Sequence, residues 1–156
     1  MKTRIIIPAL FLAIFSVISS ALCQTLMLER YQIVFPFITE EDLDLGYKDL
    51  RAAGERDLSV RAEAPDRQEW VLTLRAEQVC FMPAALQKSH TDLLWKLSEE
   101  PAASFRPLSM QPVEAARGRA AQTVNIDLRL KLGWDDKPAD YMLDIIFELK
   151  TVNPDL

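Results

Sequence analysis

Apolar residues fall at every second position over two long stretches near the C-terminus. Val124, Ile126, Leu128, Leu130 and Leu132 alternate with Asn125, Asp127, Arg129, Lys131 and Gly133. Tyr141, Leu143, Ile145, Phe147 and Leu149 alternate with Met142, Asp144, Ile146, Glu148 and Lys150. Successive side chains of a strand point to opposite faces, so each run predicts a strand with one dry face and one wet one. Gly133-Trp134-Asp135-Asp136-Lys137-Pro138 connects them with turn chemistry. Together they predict a β-hairpin whose dry face packs on a second sheet.

The same period recurs earlier. Leu58, Val60 and Ala62 alternate with Ser59, Arg61 and Glu63, and Trp70, Leu72, Leu74 and Ala76 alternate with Val71, Thr73 and Arg75. Ala64-Pro65-Asp66-Arg67 lies between these runs, and Pro followed by Asp suits a turn, so a second hairpin is expected. Tyr31, Ile33, Phe35 and Phe37 share one side of an extended segment, and Pro36, which cannot donate to a ladder, makes it an edge strand or ends it there. Thr39 to Leu45 is acidic, and Gly46 marks a turn or bulge. Val79 to Met82 is a short apolar run closed by Pro83.

Leu93 to Leu97 fits a strand or one face of a short helix, because so short a run does not distinguish the two periods. Phe105, Leu108 and Met110 stand among Pro101, Pro107 and Pro112, and predict extended surface chain, partly strand. Glu114 to Ala121, rich in Ala and Arg, fits a helical turn that Gly118 weakens. The succession of strands and turns, with no βαβ rhythm and no internal repeat, predicts an all-β fold: an antiparallel two-sheet β-sandwich.

The first 23 residues follow another rule. Lys2 and Arg4 precede an uncharged apolar run from Ile5 to Ile18, and Ser19-Ser20-Ala21-Leu22-Cys23 then supplies small residues. These are the basic, apolar and cleavage regions of a secretory signal peptide, expected as a signal helix ahead of the domain. The competing reading is a retained membrane anchor, since no charge appears from Ile5 through Leu28. Cleavage after Cys23 or after Ala21 both fit. Lipidation of Cys23 would ask for a small residue where Leu22 stands. The expected organisation is a signal peptide over 1–23 and one β-sandwich domain over 24–156. The protein is accordingly expected to be exported, to the periplasm, the cell surface or the extracellular space.

Composition narrows the partners. The chain has 156 residues, 49% hydrophobic and 26% charged, which suits one globular domain and not a disordered or fibrous chain. Its net charge is −5. Losing residues 1–23 removes two bases and no acid, leaving 16 basic against 23 acidic residues, a net −7. Nucleic acid is excluded as an expected partner, because phosphate binding needs clustered Lys and Arg. A membrane enters only through the first segment, were it uncleaved or lipidated.

Asp136-Lys137-Pro138-Ala139-Asp140-Tyr141, followed by alternating apolar residues, resembles the entry to a late strand of immunoglobulin-like sandwiches. There a Tyr packs at a corner and its hydroxyl bonds nearby backbone. The stretch is also similar to the start of the last strand in exported bacterial pilin-like and surface-array modules, with Ala139 where those carry Gly. The strand near Leu28 and Trp70-Val71-Leu72-Thr73-Leu74 share the likeness. The resemblance implies an immunoglobulin-like module with a structural or adhesive role, Tyr141 as its corner, and Trp70, Leu128, Ile145 and Phe147 in its core.

Candidate chemistry is sparse. His90 is the single histidine, in Ser89-His90-Thr91-Asp92. Catalytic triads converge from separate elements, so these neighbours read as a solvated loop. One His and two Cys do not furnish a zinc site. The acidic stretches Glu40 to Asp44 and Asp135 to Asp140 read as solvated turns, since calcium needs six or more converging oxygens. Gly46, Gly54, Gly118 and Gly133 stand singly, so no phosphate-cradling loop is expected. No catalytic residue, metal ligand or cofactor is therefore expected.

Cys80 reads as a small buried hydrophobe or, if Cys23 survives processing, as its disulfide partner. Trp134, in a turn, is the aromatic best placed to stack on a ligand, while Trp70 falls in phase with the core. The expected protein is a non-enzymatic exported module. It would contact other envelope or surface proteins through loops or an edge strand such as Tyr31, Ile33, Phe35 and Phe37. The alternatives are a carbohydrate- or small-ligand-binding module of the same fold and, behind it, a hydrolase.

Overall fold

In the computed structural model of the chain, residues 24–29, 32, 34–35, 38–50, 58–64 and 68–152 are described. Their longest strand is β8, Gln122–Lys131, and its alternation decides its place. Val124, Ile126, Leu128 and Leu130 point inward and are buried, while Asn125 and Arg129 face outward and are half-buried. β3 (Leu58–Glu63) runs antiparallel along the first half of one edge of β8, and β2 (Tyr47–Asp49) along the second half. β5 (Leu93–Leu97) lines the other edge, with the short β6 (Arg106–Pro107) beyond it. β1 (Thr25–Leu28) closes the far side of β3.

The second sheet has β4 (Glu69–Ala76) between β7 (Val113–Gly118) and β9 (Ile145–Val152). At its centre β4 buries Trp70, Leu72, Leu74 and Ala76. β9 pairs with β4 along its whole length, placing Ile145, Phe147 and Leu149 beside the core. β7 carries an irregularity opposite Leu72 and Thr73. The outer face of this sheet is ionic: Arg117 and Arg119 meet Glu69 at 2.9 and 3.2 Å, and Arg75 meets Glu148 at 3.8 Å. Dry faces turned together and charged faces turned out make a mostly-β protein of two antiparallel sheets in a sandwich-like arrangement. Each fully buried Leu in that core contributes about 1.5–3 kcal/mol of transfer free energy.

Both expected hairpins are corrected. β8 and the strand after it do not pair: β8 belongs to the first sheet and β9 to the second. β3 and β4 are likewise split between the sheets. Alternation specifies a dry face, and two sheets sharing one interior satisfy it with the connection crossing between layers.

Three local readings also change. Glu114 to Ala121 is not a helical turn, and Val113–Gly118 is strand. Leu108 is not surface chain: it is 1% exposed, and its N–H donates to the Leu93 carbonyl. The acidic stretch forms α1, Glu40–Leu45, instead of a plain turn. Thr39 caps it by accepting from the Asp42 N–H, while the Asp42 carboxylate accepts from the Thr39 N–H, a capping box. Gly46 ends it with φ of 76°, a left-handed conformation that favours glycine. Leu93 to Leu97 resolves as strand.

Gly118 lies opposite Trp70 in the β4–β7 ladder. A Cβ on it would stand 2.5 Å from Trp70 Cζ2, so only a hydrogen fits beneath the indole. Trp70 Nε1 donates to the Ala120 carbonyl at 2.9 Å, which fixes the ring over that glycine.

Candidate functional site

The wet face of the first sheet carries a cleft of about 230 Å³ where β2, β8 and β5 lie side by side. The ladder puts Asp49 opposite Arg129, and Lys96 opposite Asp127. Arg129 clasps Asp49 through Nε at 2.5 Å and Nη2 at 2.9 Å. Its guanidinium lies over the Tyr47 ring at 3.9 Å and the Phe105 ring at 4.3 Å. Lys96 Nζ meets Asp127 at 2.7 Å, and both side chains are 7% exposed. Ser98 Oγ donates to the other Asp127 oxygen at 2.6 Å. Lys96 also donates to the Leu97 and Glu100 carbonyls at 3.1 Å.

Glu100 closes the rim. It accepts from Arg106 at 3.0 Å on both oxygens and from the Leu97 N–H at 2.7 Å. Burial pushes its carboxyl up, but the Leu97 N–H and the Arg106 guanidinium hold it below its ordinary value.

These bonds define what the cleft can do. The Ser98 proton is committed to a carboxylate, and the Lys96 ammonium to a carboxylate and carbonyls. Asp49 is 41% exposed at its side chain, and the half-buried Tyr47 and Phe105 rings both contact the Arg129 guanidinium. A rigid polar floor with a half-exposed acid and aromatic edges suits a small hydroxylated ligand held by hydrogen bonds and ring contacts.

A second constellation lies at one end of the sandwich. Lys88, 3% exposed at its side chain, meets Asp136 at 2.7 Å and Asp92 at 3.7 Å. Asp136 also accepts from the Gly133 N–H. The Tyr141 hydroxyl donates to the Lys137 carbonyl at 2.7 Å, and its ring meets Phe81 edge-on at 6.1 Å.

The residues singled out in the sequence do not converge on one site. Trp134 stands in its turn, 64% exposed. Cys80 is half-buried in a bridge with Ser89, its thiol unbonded, and Cys23 lies outside the described residues. Tyr31, Ile33 and Phe37 also lie outside them. Phe35 packs against the core, but Gln32, Val34 and Phe35 are not in a strand.

His90 sits in a short 3-10 turn and donates Nδ1–H to the Val79 carbonyl at 2.7 Å, while Ser89 pairs with Thr91. Ser89, His90 and Asp92 form no relay. Among the described residues no group of three His, Cys, Asp or Glu is placed to hold a metal, and no helix is long and apolar enough to cross a membrane. The cleft residues Asp49, Lys96, Ser98, Phe105, Asp127 and Arg129 carried no motif, being scattered polar positions on wet faces.

In comparisons with known proteins, no family model, no curated protein and no solved structure matches the chain.

Proposed function

We propose that the chain is a non-enzymatic exported module of immunoglobulin-like kind, with a structural or adhesive role in the periplasm or at the cell surface. Residues 1–23 are its cleaved signal peptide, a reading supported by Lys2, Arg4 and the apolar run after them. Its partners are other envelope or surface proteins. The observation that carries this reading is β9. It is eight residues long, hydrogen-bonded to β4 on one side, and at the edge of its sheet among the described residues. An edge of that length is a template for strand addition, with backbone bonds for affinity and alternate side chains for specificity.

A photo-crosslinker at Lys150 tests the reading in intact cells. The expected result is a mature protein lacking residues 1–23 in the envelope fraction, cross-linked to a second envelope protein. A chain found in the cytosol with an intact N-terminus, or one giving no adduct from β9, overturns it.

The second reading, a carbohydrate- or small-ligand-binding module, is favoured by the cleft around Asp49 and Arg129 and by the exposure of Trp134. Perturbed amide signals of Asp49 and Arg129, or a Trp134 emission shift, on adding oligosaccharides would support it. No response across a glycan panel would remove it.

A further inference from the structure

Both connections that cross between the sheets at the C-terminal end of β4 and β8 emerge on the same side. The 77–92 loop joins β4 to β5, and the 132–144 loop joins β8 to β9. They are tied together: Lys88 holds Asp136, and the backbones of Met82 and Met142 exchange two hydrogen bonds at 2.7 and 3.0 Å. α1 joins them, because the Gly46 carbonyl accepts from the Leu132 N–H.

This end is both apolar and acidic. Of nine exposed large hydrophobic residues among those described, five lie here: Leu45, Val79, Met82, Trp134 and Met142. Met82 and Met142 face each other across their bridge at 44% and 68% exposure. Residues 39–46, 77–92 and 132–144 hold ten acids against two lysines, a net −8 in a chain whose total is −5. One of those lysines, Lys88, is buried under its own acids. Gln24, the first described residue, hydrogen-bonds to Thr151 at the opposite end.

We infer that this end docks a basic, apolar segment of another protein. Flexible methionines and an exposed tryptophan adapt to apolar side chains, and tryptophan is frequent among residues that dominate binding. The surrounding carboxylates select Lys and Arg on the partner and repel an anionic lipid surface. The inference rests on the reading of the protein as a partner-binding module, and gives it a surface other than β9.

The test uses the full mature chain with two synthetic helical peptides, one of leucine and lysine and one of leucine and glutamate. Trp70 and Trp95 are fully buried, so a blue shift of tryptophan emission reports Trp134. The leucine–lysine peptide is expected to shift emission and to bind more weakly as salt rises. Met142→Ser should weaken binding by about tenfold, a typical loss for a central apolar contact. Met27→Ser, 57% exposed but on β1, should not.

Equal binding of both peptides overturns the inference. So does an equal loss in Met27→Ser, no shift with either peptide, or capture by anionic vesicles in place of the peptide. Adducts from Lys150 without peptide binding would sink this surface and leave the module reading standing. Peptide binding without adducts would remove β9 as a contact and leave this surface standing.

Discussion

Adding one methyl group at Gly118 tests the packing of the second sheet. The new Cβ would lie 2.5 Å from Trp70 Cζ2 and 2.9 Å from Cε2, where carbon atoms rest at about 3.5–4.0 Å. The indole must therefore retreat by about 1 Å. It is fully buried and anchored through Nε1 to the Ala120 carbonyl, so the retreat disturbs Leu72 and Leu74 as well. Overpacking of this kind costs about 1–3 kcal/mol, and a pinned ring belongs in the upper half of that range.

Unfolding entropy of about 2.1 cal/mol/K per residue, over roughly 130 residues, makes 1 kcal/mol worth about 4 °C. Gly118→Ala should lower Tm by about 8–12 °C, measured by circular dichroism. Trp70→Phe should cost about 1–3 kcal/mol by itself, through the cavity and the lost hydrogen bond. The double variant should recover at least about 1 kcal/mol of the summed loss, because the smaller ring leaves room for the methyl. Costs that add within about 0.5 kcal/mol, or an unchanged Tm in Gly118→Ala, would refute the contact.

Other consequences are as direct. Lys96→Met leaves the Asp127 charge buried without its cation and should cost about 3–5 kcal/mol in denaturant titration, whereas Lys96→Met with Asp127→Leu should regain most of it. Asp42 is held down to about 2 by Lys48 and by the Thr39 backbone and hydroxyl, and Glu69, Glu100 and Glu114 are also held low by their arginines and hydrogen bonds. These carboxyls take up protons more readily in the unfolded chain. Their contribution to stability is thus present above their ordinary values, 3.8 for Asp and 4.5 for Glu, and is lost as pH falls toward about 2. The denaturation midpoint should fall on acidification across that window, with a shallower slope in Asp42→Asn; a flat midpoint would contradict the assignment. Tyr141→Phe removes the bond to the Lys137 carbonyl and should cost about 1 kcal/mol, seen as a Tm lower by about 4 °C.

Alternation made β3, β4 and β8 legible, but it also suggested strand at Gln32, Val34 and Phe35, which are not in one, and from Tyr141, whereas β9 begins at Ile145. Val124, Ile126, Leu128 and Leu130, and likewise Trp70, Leu72 and Leu74, face the core as their period requires. Their neighbours were not legible, because a dry face says nothing about which strand lies beside it. In β7 the register shift pairs Leu72 with Ala116 and Thr73 with Glu114, leaving Ala115 between, so the period of two fades and Ala and Arg suggest helix. α1 did leave a signal in Thr39 and Asp42, spaced for mutual capping, but the run of acids around it reads as a turn. The cleft had none: Lys96 and Asp127 are 31 residues apart and become partners only through the β5–β8 ladder. Leu108 was hidden by the prolines around it, which describe backbone shape and not depth.

The order of strands has a consequence for synthesis. Sheet β7-β4-β9 gains β9 only after the other strands among the described residues have been made, and β8 joins β3 to β5 only after both precede it. A nascent chain that stops short of Ile145 holds Trp70, Leu72 and Leu74 with one flank bare. The second layer cannot be completed on such a product, because β4 lacks its β9 neighbour, a contact distant along the chain. Truncation before Ile145 therefore strips β4 of its longest pairing and leaves the core side of that sheet uncovered.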